Sequence, residues 1–328
     1  MTYLALIAGL LLLAFGGEYL VRGAVALARR LGVSPLLIGL TLVGFGTSCP
    51  ELVASVQAAL IGSPGIAIGN VVGSNILNIL LILGITALIS ALATSPQVLR
   101  RDGVVLIGAS LAMVAVCLVG WIGRLGGSLL VSTLLLYVVF TYRSERANPN
   151  GSAALHIAET ELVEPLPRSL RLALIEALLG LAAVIGGAYL LVEAAIVIAR
   201  QFGISETVIG LTIVAGGTSL PELVTSVVAA LRRQGDLALG NIVGSNIFNI
   251  LGIIGVTALV RPIAVPQEIV RFDLWVMLAV ALLLVFFAKT GWRLSRWEGA
   301  VFLTAYGVYL YALLSPDARD LLGMSWAS

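Results

Sequence analysis

Two glutamates in apolar, helix-forming stretches are the residues best placed to do chemistry. Glu51 and Glu222 each follow a proline within the motif G-T-S-x-P-E, and both motifs lie in long apolar runs. A charge at the middle of a bilayer costs at least about 2.5 to 3.5 kcal/mol on insertion scales, so such residues usually serve a function. A carboxylate flanked by hydroxyls and carbonyls offers hard oxygen ligands, which suit Ca²⁺ and alkali cations rather than soft metals.

The two glutamates occupy equivalent positions of an internal repeat. A shift of 171 residues lays 39–84 on 210–255 without a gap, with 29 of 46 positions identical. Such self-similarity indicates a fold built from copies of one unit. Because Glu51 corresponds to Glu222, the sequence predicts that each unit contributes one acid to a shared site.

The proline of each motif is expected to break its helix. Proline lacks a backbone donor and clashes with the preceding turn, so Pro50 and Pro221 should end a helix just before each glutamate. Carbonyls would then be free around 44–47 and 215–218. At membrane depth, such backbone is tolerated only beside protein groups or a wet cavity.

The second part of each repeat, G-N-x-V-G-S-N-I-x-N, supplies a serine and an asparagine four residues apart. Ser74 and Asn78 therefore share one helix face, as do Ser245 and Asn249, and two such faces against two broken helices would enclose a polar compartment. Helix packing is an equal alternative for Ser74 or Asn78 taken alone. The other asparagines are predicted to hydrogen-bond between helices: Asn70, Asn75, Asn241 and Asn246.

Composition places these motifs in an integral membrane protein. The 328 residues are 59% hydrophobic and 11% charged, with a mean hydropathy of +1.08, whereas about a quarter of the residues of a soluble domain are charged. The bilayer is thus the expected surrounding. A net charge of +2 argues against a nucleic-acid partner, and no protein partner is evident. The two cysteines, Cys49 and Cys117, form no disulfide or metal spacing.

The apolar runs predict an all-α polytopic fold of about ten transmembrane helices, at roughly 20 residues per span. The expected spans are 2–28, 35–60, 65–90, 103–120 and 125–142, then 170–198, 206–231, 236–260, 270–288 and 297–314. The first is interpreted as a span because it lacks a small-residue cleavage pattern. Residues 1–142 and 170–328 then form two five-helix repeats around a polar linker, 143–169. Five is odd, so the repeats are inverted, an arrangement recurrent in secondary transporters.

Cationic residues predict the orientation, because cytoplasmic loops are enriched in them. With alternating spans, thirteen of the 19 Lys and Arg residues fall on the face that carries the linker. The linker is therefore predicted to be cytoplasmic and both termini outside. His156, the only histidine, is assigned to the solvated linker, and Glu18 is expected to pair with Arg22 four residues away.

At these motifs the chain resembles the cation/calcium exchanger superfamily, specifically sodium/calcium exchangers of the prokaryotic type. GTSCPE with GSNILN, and GTSLPE with GSNIFN, look like its two hallmark repeats, and the ten-span layout covers nearly the whole chain. The resemblance implies Na⁺/Ca²⁺ antiport in a prokaryotic cell membrane, without a cofactor. It implies ion sites lined by Thr47, Ser48, Glu51, Ser74, Asn78, Thr218, Ser219, Glu222, Ser245 and Asn249, with carbonyls of Gly44 and Ala215 at the outlying sodium positions.

One departure concerns potassium. The position of Asn249 is an aspartate in potassium-dependent members and in some prokaryotic exchangers, whereas here both Asn249 and its counterpart Asn78 are amides. Two ionised glutamates give the centre a formal charge of −2, which matches one Ca²⁺. This argues against dependence on K⁺.

Other functions remain open at this point. A Ca²⁺/H⁺ antiporter would use the same acids, although the hydroxyls of the G-T-S motifs favour Na⁺ because protons need no such ligands. A cation channel would keep the acids but would not need an inverted duplicate. An enzyme is disfavoured because no nucleophile and base lie at matching depth. Flux driven by a Na⁺ gradient, and absent with a pH gradient alone, would separate these alternatives.

Overall fold

The computed structural model describes residues 1–94, 96–147, 157, 160, 163 and 169–315, so His156 and most of the linker lie outside the described residues. Within the described ranges, eight helices are long and apolar enough to cross a membrane, or nine if Glu206–Thr218 and Leu220–Leu231, bent by 48°, form one span. The predicted span 35–60 is divided, and its second part, Cys49–Ile61, is a shorter apolar helix. The prediction of a polytopic helical membrane protein is confirmed.

The order of elements is similar in the two halves of the chain, but the second half has two additional short elements, the helix Ala215–Thr218 and the π-helix Ile269–Asp273. The first half contains α1 Thr2–Arg30, α2 Pro35–Ile38 continuing as a π-helix Gly39–Val43, α3 Cys49–Ile61, α4 Pro64–Leu77 continuing as a π-helix Asn78–Ile82, α5 Leu83–Ile89, β1 Leu92–Ala93, α6 Pro96–Leu118, β2 Trp121–Ile122 and α7 Arg124–Ala147. The second half contains α8 Leu170–Phe202, α9 Glu206–Ile209 continuing as a π-helix Gly210–Val214, α10 Ala215–Thr218, α11 Leu220–Leu231, α12 Gly235–Phe248 continuing as a π-helix Asn249–Ile254, α13 Gly255–Val260, β3 Ile263–Ala264, a π-helix Ile269–Asp273 leading into α14 Leu274–Lys289, β4 Arg293–Leu294 and α15 Arg296–Leu314. Helix α7 extends to Ala147, several residues into the segment assigned to the linker.

Local sequence signals set several of these boundaries. Ser34 caps α2 by accepting a hydrogen bond from the backbone N–H of Leu37 at 3.3 Å, and Ser205 caps α9 in the same way. Gly62 ends α3 with φ +86°, a left-handed conformation that glycine adopts without steric cost. The short turns between spans are therefore encoded locally.

Two short strand pairs hold the ends of the spans together on opposite faces of the molecule. Strand β1 pairs with β4, and β2 pairs with β3, both antiparallel. The first pair lies on the face where α1 ends and where Arg29 donates a hydrogen bond to the carbonyl of Thr160 in the linker. We call this the linker face and the other the distal face. The pairings agree with spans that alternate in direction.

Helices α1 and α8 pack against each other in antiparallel orientation along a line of glycines. A methyl group on Gly9 would come within 2.8 Å of the backbone nitrogen of Leu191, and one on Gly16 within 2.9 Å of that of Val184. Only glycine permits such close approach. The helix contacts also correct one prediction: Arg22 lies 3.8 Å from Glu176 of α8, so its acidic partner is on the neighbouring helix and is not Glu18.

The innermost elements are the spans that carry the second part of each repeat. In Pro64–Ile89 and Gly235–Val260, 78% of the apolar window is buried, against 28% in α1 and 22% in α15. Their residues form nearly half of the largest apolar cluster. Helices that are buried all round need an apolar surface on every side, and the polar residues among them therefore call for a specific explanation.

Candidate ion-binding site

The two glutamates lie directly after breaks in their helices. Residues 44–48 form a turn between the π-helix that ends at Val43 and the start of α3 at Cys49, and the chain bends at Ser219 between α10 and α11. Each break is slightly earlier than predicted, because the new helix starts one residue before its proline. Proline is well tolerated in a first turn, where no backbone donor is needed.

This placement puts each carboxylate in the first turn of a helix. Glu51 is in the first turn of α3 and Glu222 in that of α11. The unpaired N–H groups and the dipole at a helix N-terminus favour negative charge. Both residues are fully buried, with 0% exposure, so the helix termini offset part of the cost of holding an anion there.

Hydrogen bonds cross between the two halves at the glutamates. The hydroxyl of Ser48 donates to Glu222 Oε1 at 2.7 Å, and the hydroxyl of Ser219 donates to Glu51 Oε1 at 2.8 Å. A shift of 171 residues converts one bond into the other. Each half therefore supplies an acid that is held by the serine of the other half.

The polar faces of α4 and α12 close around this pair. Ser219 lies 3.1 Å from the hydroxyl of Ser74, and Asn78 Nδ2 donates to Asn246 Oδ1 at 3.0 Å. Asn246 in turn donates to the carbonyl of Asn75 at 3.3 Å, which confirms hydrogen bonding between helices for Asn246. Asn75 itself donates within its own helix, to the carbonyl of Val71. The structure thus places Ser74 beside the serine that holds Glu51, and it joins Asn78 to the corresponding helix of the second half.

Several side-chain atoms at this centre are buried and make no hydrogen bond to any described part of the chain. They are Thr47 Oγ1, Glu51 Oε2, Asn78 Oδ1, Glu222 Oε2, Ser245 Oγ, and both Asn249 Oδ1 and Asn249 Nδ2. Buried polar atoms without partners are uncommon in proteins, and a bound ion can satisfy them. Six of these seven atoms are oxygens, the donor type that Na⁺ and Ca²⁺ take.

The ligand set is poor in charged and soft groups. Among the described residues, no three His, Cys, Asp or Glu side chains come together in a way that could hold a metal. The two carboxylates are surrounded instead by amides and hydroxyls. Transition metals prefer imidazole or thiolate ligands, so this chemistry fits hard cations better.

The two carbonyls predicted for the outlying sodium positions differ in their surroundings. The carbonyl of Ala215 already accepts a hydrogen bond from the N–H of Ser219 at 3.0 Å, so it was not freed by the break as predicted. Gly44 follows a π-helix and donates its N–H to the carbonyl of Gly39. None of the hydrogen bonds described for Gly44 or Ala215 joins them to the glutamates.

Both predicted site asparagines begin π-helical segments. Asn78 opens Asn78–Ile82 and Asn249 opens Asn249–Ile254. A π-helical turn widens the helix and is frequent at functional sites. The change in winding therefore occurs at the same position of the repeat in both halves.

Sequence reasoning missed several contacts one layer outside the glutamates. Ser55, four residues after Glu51, accepts a hydrogen bond from Asn70 at 2.9 Å, and the rings of Phe45 and Phe248 stack 4.5 Å apart. Ser55 is identical to its counterpart Ser226 in the repeat, a signal that could have identified it. Phe45 corresponds to Gly216, so the repeat gave no indication of the ring stack.

Comparison with known proteins gives a family. The model of the sodium/calcium exchanger protein family matches residues 1–143 and 172–315. Putative antiporter CaxA of Alkalimonas amylolytica is 39% identical over 310 residues, covering 94% of this chain and 97% of the relative. Sodium/calcium exchanger MaX1 of Methanosarcina acetivorans is 36% identical over 343 residues, covering 95% and 98%.

A solved structure gives the same result in three dimensions. The sodium-calcium exchanger NCX_Mj, soaked with 10 mM Na⁺ and 10 mM Sr²⁺, aligns with a TM-score of 0.64 at 33% identity, covering 96% of this chain and 98% of that one. The matches in sequence and in structure extend over nearly the whole chain. The chain described here therefore belongs to the sodium/calcium exchanger protein family.

Proposed function

We propose that this chain is a secondary antiporter that exchanges Na⁺ for Ca²⁺ by alternating access at Glu51 and Glu222. One observation carries the proposal: each wholly buried carboxylate is fixed through one oxygen by a serine of the other half and keeps its second oxygen free of protein hydrogen bonds. Two fixed anions with free oxygens form a receptor for cations. The names of the relatives support this function, since MaX1 and NCX_Mj are both called sodium/calcium exchangers.

Charge explains why transport would be an exchange and not a leak. The two ionised glutamates give −2, which one Ca²⁺ neutralises, and Asn78 and Asn249 add no charge. Several Na⁺, using the free hydroxyl and amide oxygens, neutralise the same charge. An empty centre would leave two anions close together away from water, which is costly. The ion-loaded protein therefore switches readily between the states open to either side of the membrane, and the empty protein does not.

Alternating access requires two states of the protein, and two inverted copies of one unit can provide them by exchanging their conformations. We assign residues 1–142 and 170–328 to two inverted five-helix repeats around the linker, 143–169. This is supported by the antiparallel packing of α1 on α8 and by the crossed serine–glutamate bonds. The excess of cationic residues on the linker face supports a cytoplasmic linker with the termini outside. The remaining ligands proposed for the ions are Thr47, Thr218, Ser48, Ser219, Ser74 and Ser245, with the carbonyls of Gly44 and Ala215.

A flux measurement tests the proposal. The purified chain is placed in liposomes loaded with Na⁺, and Ca²⁺ uptake is measured against liposomes with no internal Na⁺ and against liposomes with only a pH gradient. We expect uptake with the Na⁺ gradient alone. The second candidate, Ca²⁺/H⁺ exchange with the same glutamates, requires uptake with the pH gradient alone, and that result would overturn Na⁺ coupling.

A further inference from the structure

Asn70 ties together three elements beside the glutamates. Its Nδ2 donates to the hydroxyl of Ser55 at 2.9 Å and to the carbonyl of Glu51 at 3.1 Å, both on α3. Its Oδ1 accepts a hydrogen bond from the hydroxyl of Thr218 at 3.0 Å, across the boundary between the halves. Asn70, Ser55 and Thr218 are all fully buried. This Asn70 cluster therefore fixes α4 and α3 to the broken helix of the second half.

The repeat contains the same residues a second time, but their bonds are not made. A shift of 171 residues converts Asn70, Ser55 and Thr218 into Asn241, Ser226 and Thr47. Within the described ranges, Asn241 Nδ2, Ser226 Oγ and Thr47 Oγ1 are buried without a hydrogen-bond partner. Leaving such groups unsatisfied carries a cost, so this Asn241 cluster is poised to form the bonds that the Asn70 cluster has formed.

The backbone packing beside the two clusters also differs: it is close beside the Asn70 cluster and open beside the Asn241 cluster. A methyl group on Gly73 would lie 2.5 Å from the carbonyl oxygen of Leu211, and one on Gly69 would lie 2.8 Å from that of Thr207. Methyl groups on their counterparts, Gly244 and Gly240, would have no atom within 4 Å. On the distal face, α4 is thus pressed against 206–214, whereas on the linker face α12 stands apart from its corresponding partner, 35–43.

We propose that the two clusters are alternate latches, each holding the route to the ion centre closed on one face. In the present structure the Asn70 latch is made and the distal face is shut. When the linker face shuts, Thr47 donates to Asn241, Asn241 donates to Ser226 and to the carbonyl of Glu222, and the Asn70 latch opens. This inference rests on the proposed antiport, which requires two such states, and it assigns a positioning role to Asn70, Asn241, Ser55 and Ser226.

The latches also connect closure to ion binding. The threonine of each latch, Thr47 or Thr218, is a candidate ion ligand, and its hydroxyl turns toward the asparagine only in the latched state. Asn70 also holds the carbonyl of Glu51 in the first turn of α3. The latch that forms thus determines which threonine is held by protein and which remains free for an ion.

Matched single substitutions test the latches. Ser55→Ala weakens the Asn70 latch and Ser226→Ala weakens the Asn241 latch, each by one hydrogen bond. The reporter is Asp236→Cys, on the open side of α12, in a background with both native cysteines replaced by alanine. Its rate of reaction with an impermeant maleimide, applied to the linker face of oriented vesicles, measures how often that face is open.

We expect Ser55→Ala to slow labelling by about fivefold, which is the equilibrium shift of one ordinary buried hydrogen bond. Ser226→Ala should keep labelling at least as fast as in the parent, and the double variant should return toward the parent rate because both latches are then weakened. Equal slowing in both single variants, or no change in either, would overturn the proposal. Labelling needs no ion gradient, so it tests the latches separately from transport. The latch proposal can therefore fail while Na⁺-driven flux persists, and it can hold even if the coupling ion is not Na⁺.

A second measurement needs no substitution. Hydrogen exchange of the wild-type chain in detergent should show stronger protection for the amides of 206–214 than for those of 35–43. Only the former are pressed against the corresponding helix of the other half, α4, whereas 35–43 stands apart from α12. The corresponding helices α4 and α12 should differ in the same direction. Equal protection of the two segments would contradict the asymmetry on which the latches depend.

Discussion

The two halves of the repeat make nearly the same contacts at the centre of the molecule, but they differ in the flanks, that is, in the helix packing one layer outside the glutamates. At the glutamates, the bonds from Ser48 to Glu222 and from Ser219 to Glu51 differ by only 0.1 Å in length. One layer outward, Gly73 is crowded while Gly244 faces open space. One repeated sequence can therefore form equivalent side-chain contacts at the centre and, around them, helix packing that differs between the two halves. Under the proposed antiport, the symmetric centre is the part that would bind the ion, and the unequal packing around it would determine the face from which the ion can enter.

Removing one carboxylate should have the largest effect and tests the symmetric centre. Glu51→Gln and Glu222→Gln each leave a single negative charge to meet a divalent ion, and loss of one partner from a buried charged site typically costs about 3 to 5 kcal/mol. We expect each variant to lose at least about a hundredfold in Na⁺-driven Ca²⁺ flux, measured in liposomes. Substantial flux in either one would show that the glutamates do not share a site.

Labelling at equivalent loop positions tests whether the halves are inverted. Ile61 and Arg232 are exposed and are related by the shift of 171 residues. Single cysteines there should react with impermeant reagents from opposite sides: Ile61→Cys from outside and Arg232→Cys from inside the cell. Reaction of both from the same side would mean that the halves run in parallel and that the centre is not built from inverted units.

Glycine substitutions address the unequal flanks. Overpacking costs about 1 to 3 kcal/mol, so Gly73→Ala should disfavour closure of the distal face. Gly244→Ala fits the present packing, but it should clash once α12 closes on 35–43. We therefore expect each to reduce Ca²⁺ flux by about an order of magnitude. Gly108→Ala is the control, because Gly108 is exposed with no atom within 4 Å of an added methyl. Full activity of Gly244→Ala would indicate that the linker face never closes in this way.

The repeat explains which parts of this molecule could be predicted from sequence. The motif identity between the halves indicated Glu51, Glu222 and the serines, and apolar length indicated a polytopic helical fold, because both depend on local composition. The partner of Arg22 could not be predicted, since Glu176 lies on a helix distant in the chain. The sequence could also not predict that the Asn70 cluster forms its hydrogen bonds while the Asn241 cluster does not. Asn70 and Asn241 are identical residues in nearly identical sequences, and only the packing of whole helices distinguishes their surroundings.

Asn249 provides the subtlest test, because it alters the charge of the centre without removing a ligand position. Asn249→Asp raises the formal charge from −2 to −3, in surroundings where charge is poorly screened. Such a centre holding one Ca²⁺ keeps a surplus negative charge, so it must take up a monovalent cation or a proton. We expect wild-type flux to be insensitive to K⁺, and Asn249→Asp to show a dependence on K⁺ or pH of a few-fold. Initial Ca²⁺ flux is measured against external K⁺ and pH in both proteins, with Asn78→Asp as the matched variant in the first half. If the two aspartate variants respond alike, the amides contribute equally to the charge of the centre; a wild type that requires K⁺ would show that Asn249 does not set it.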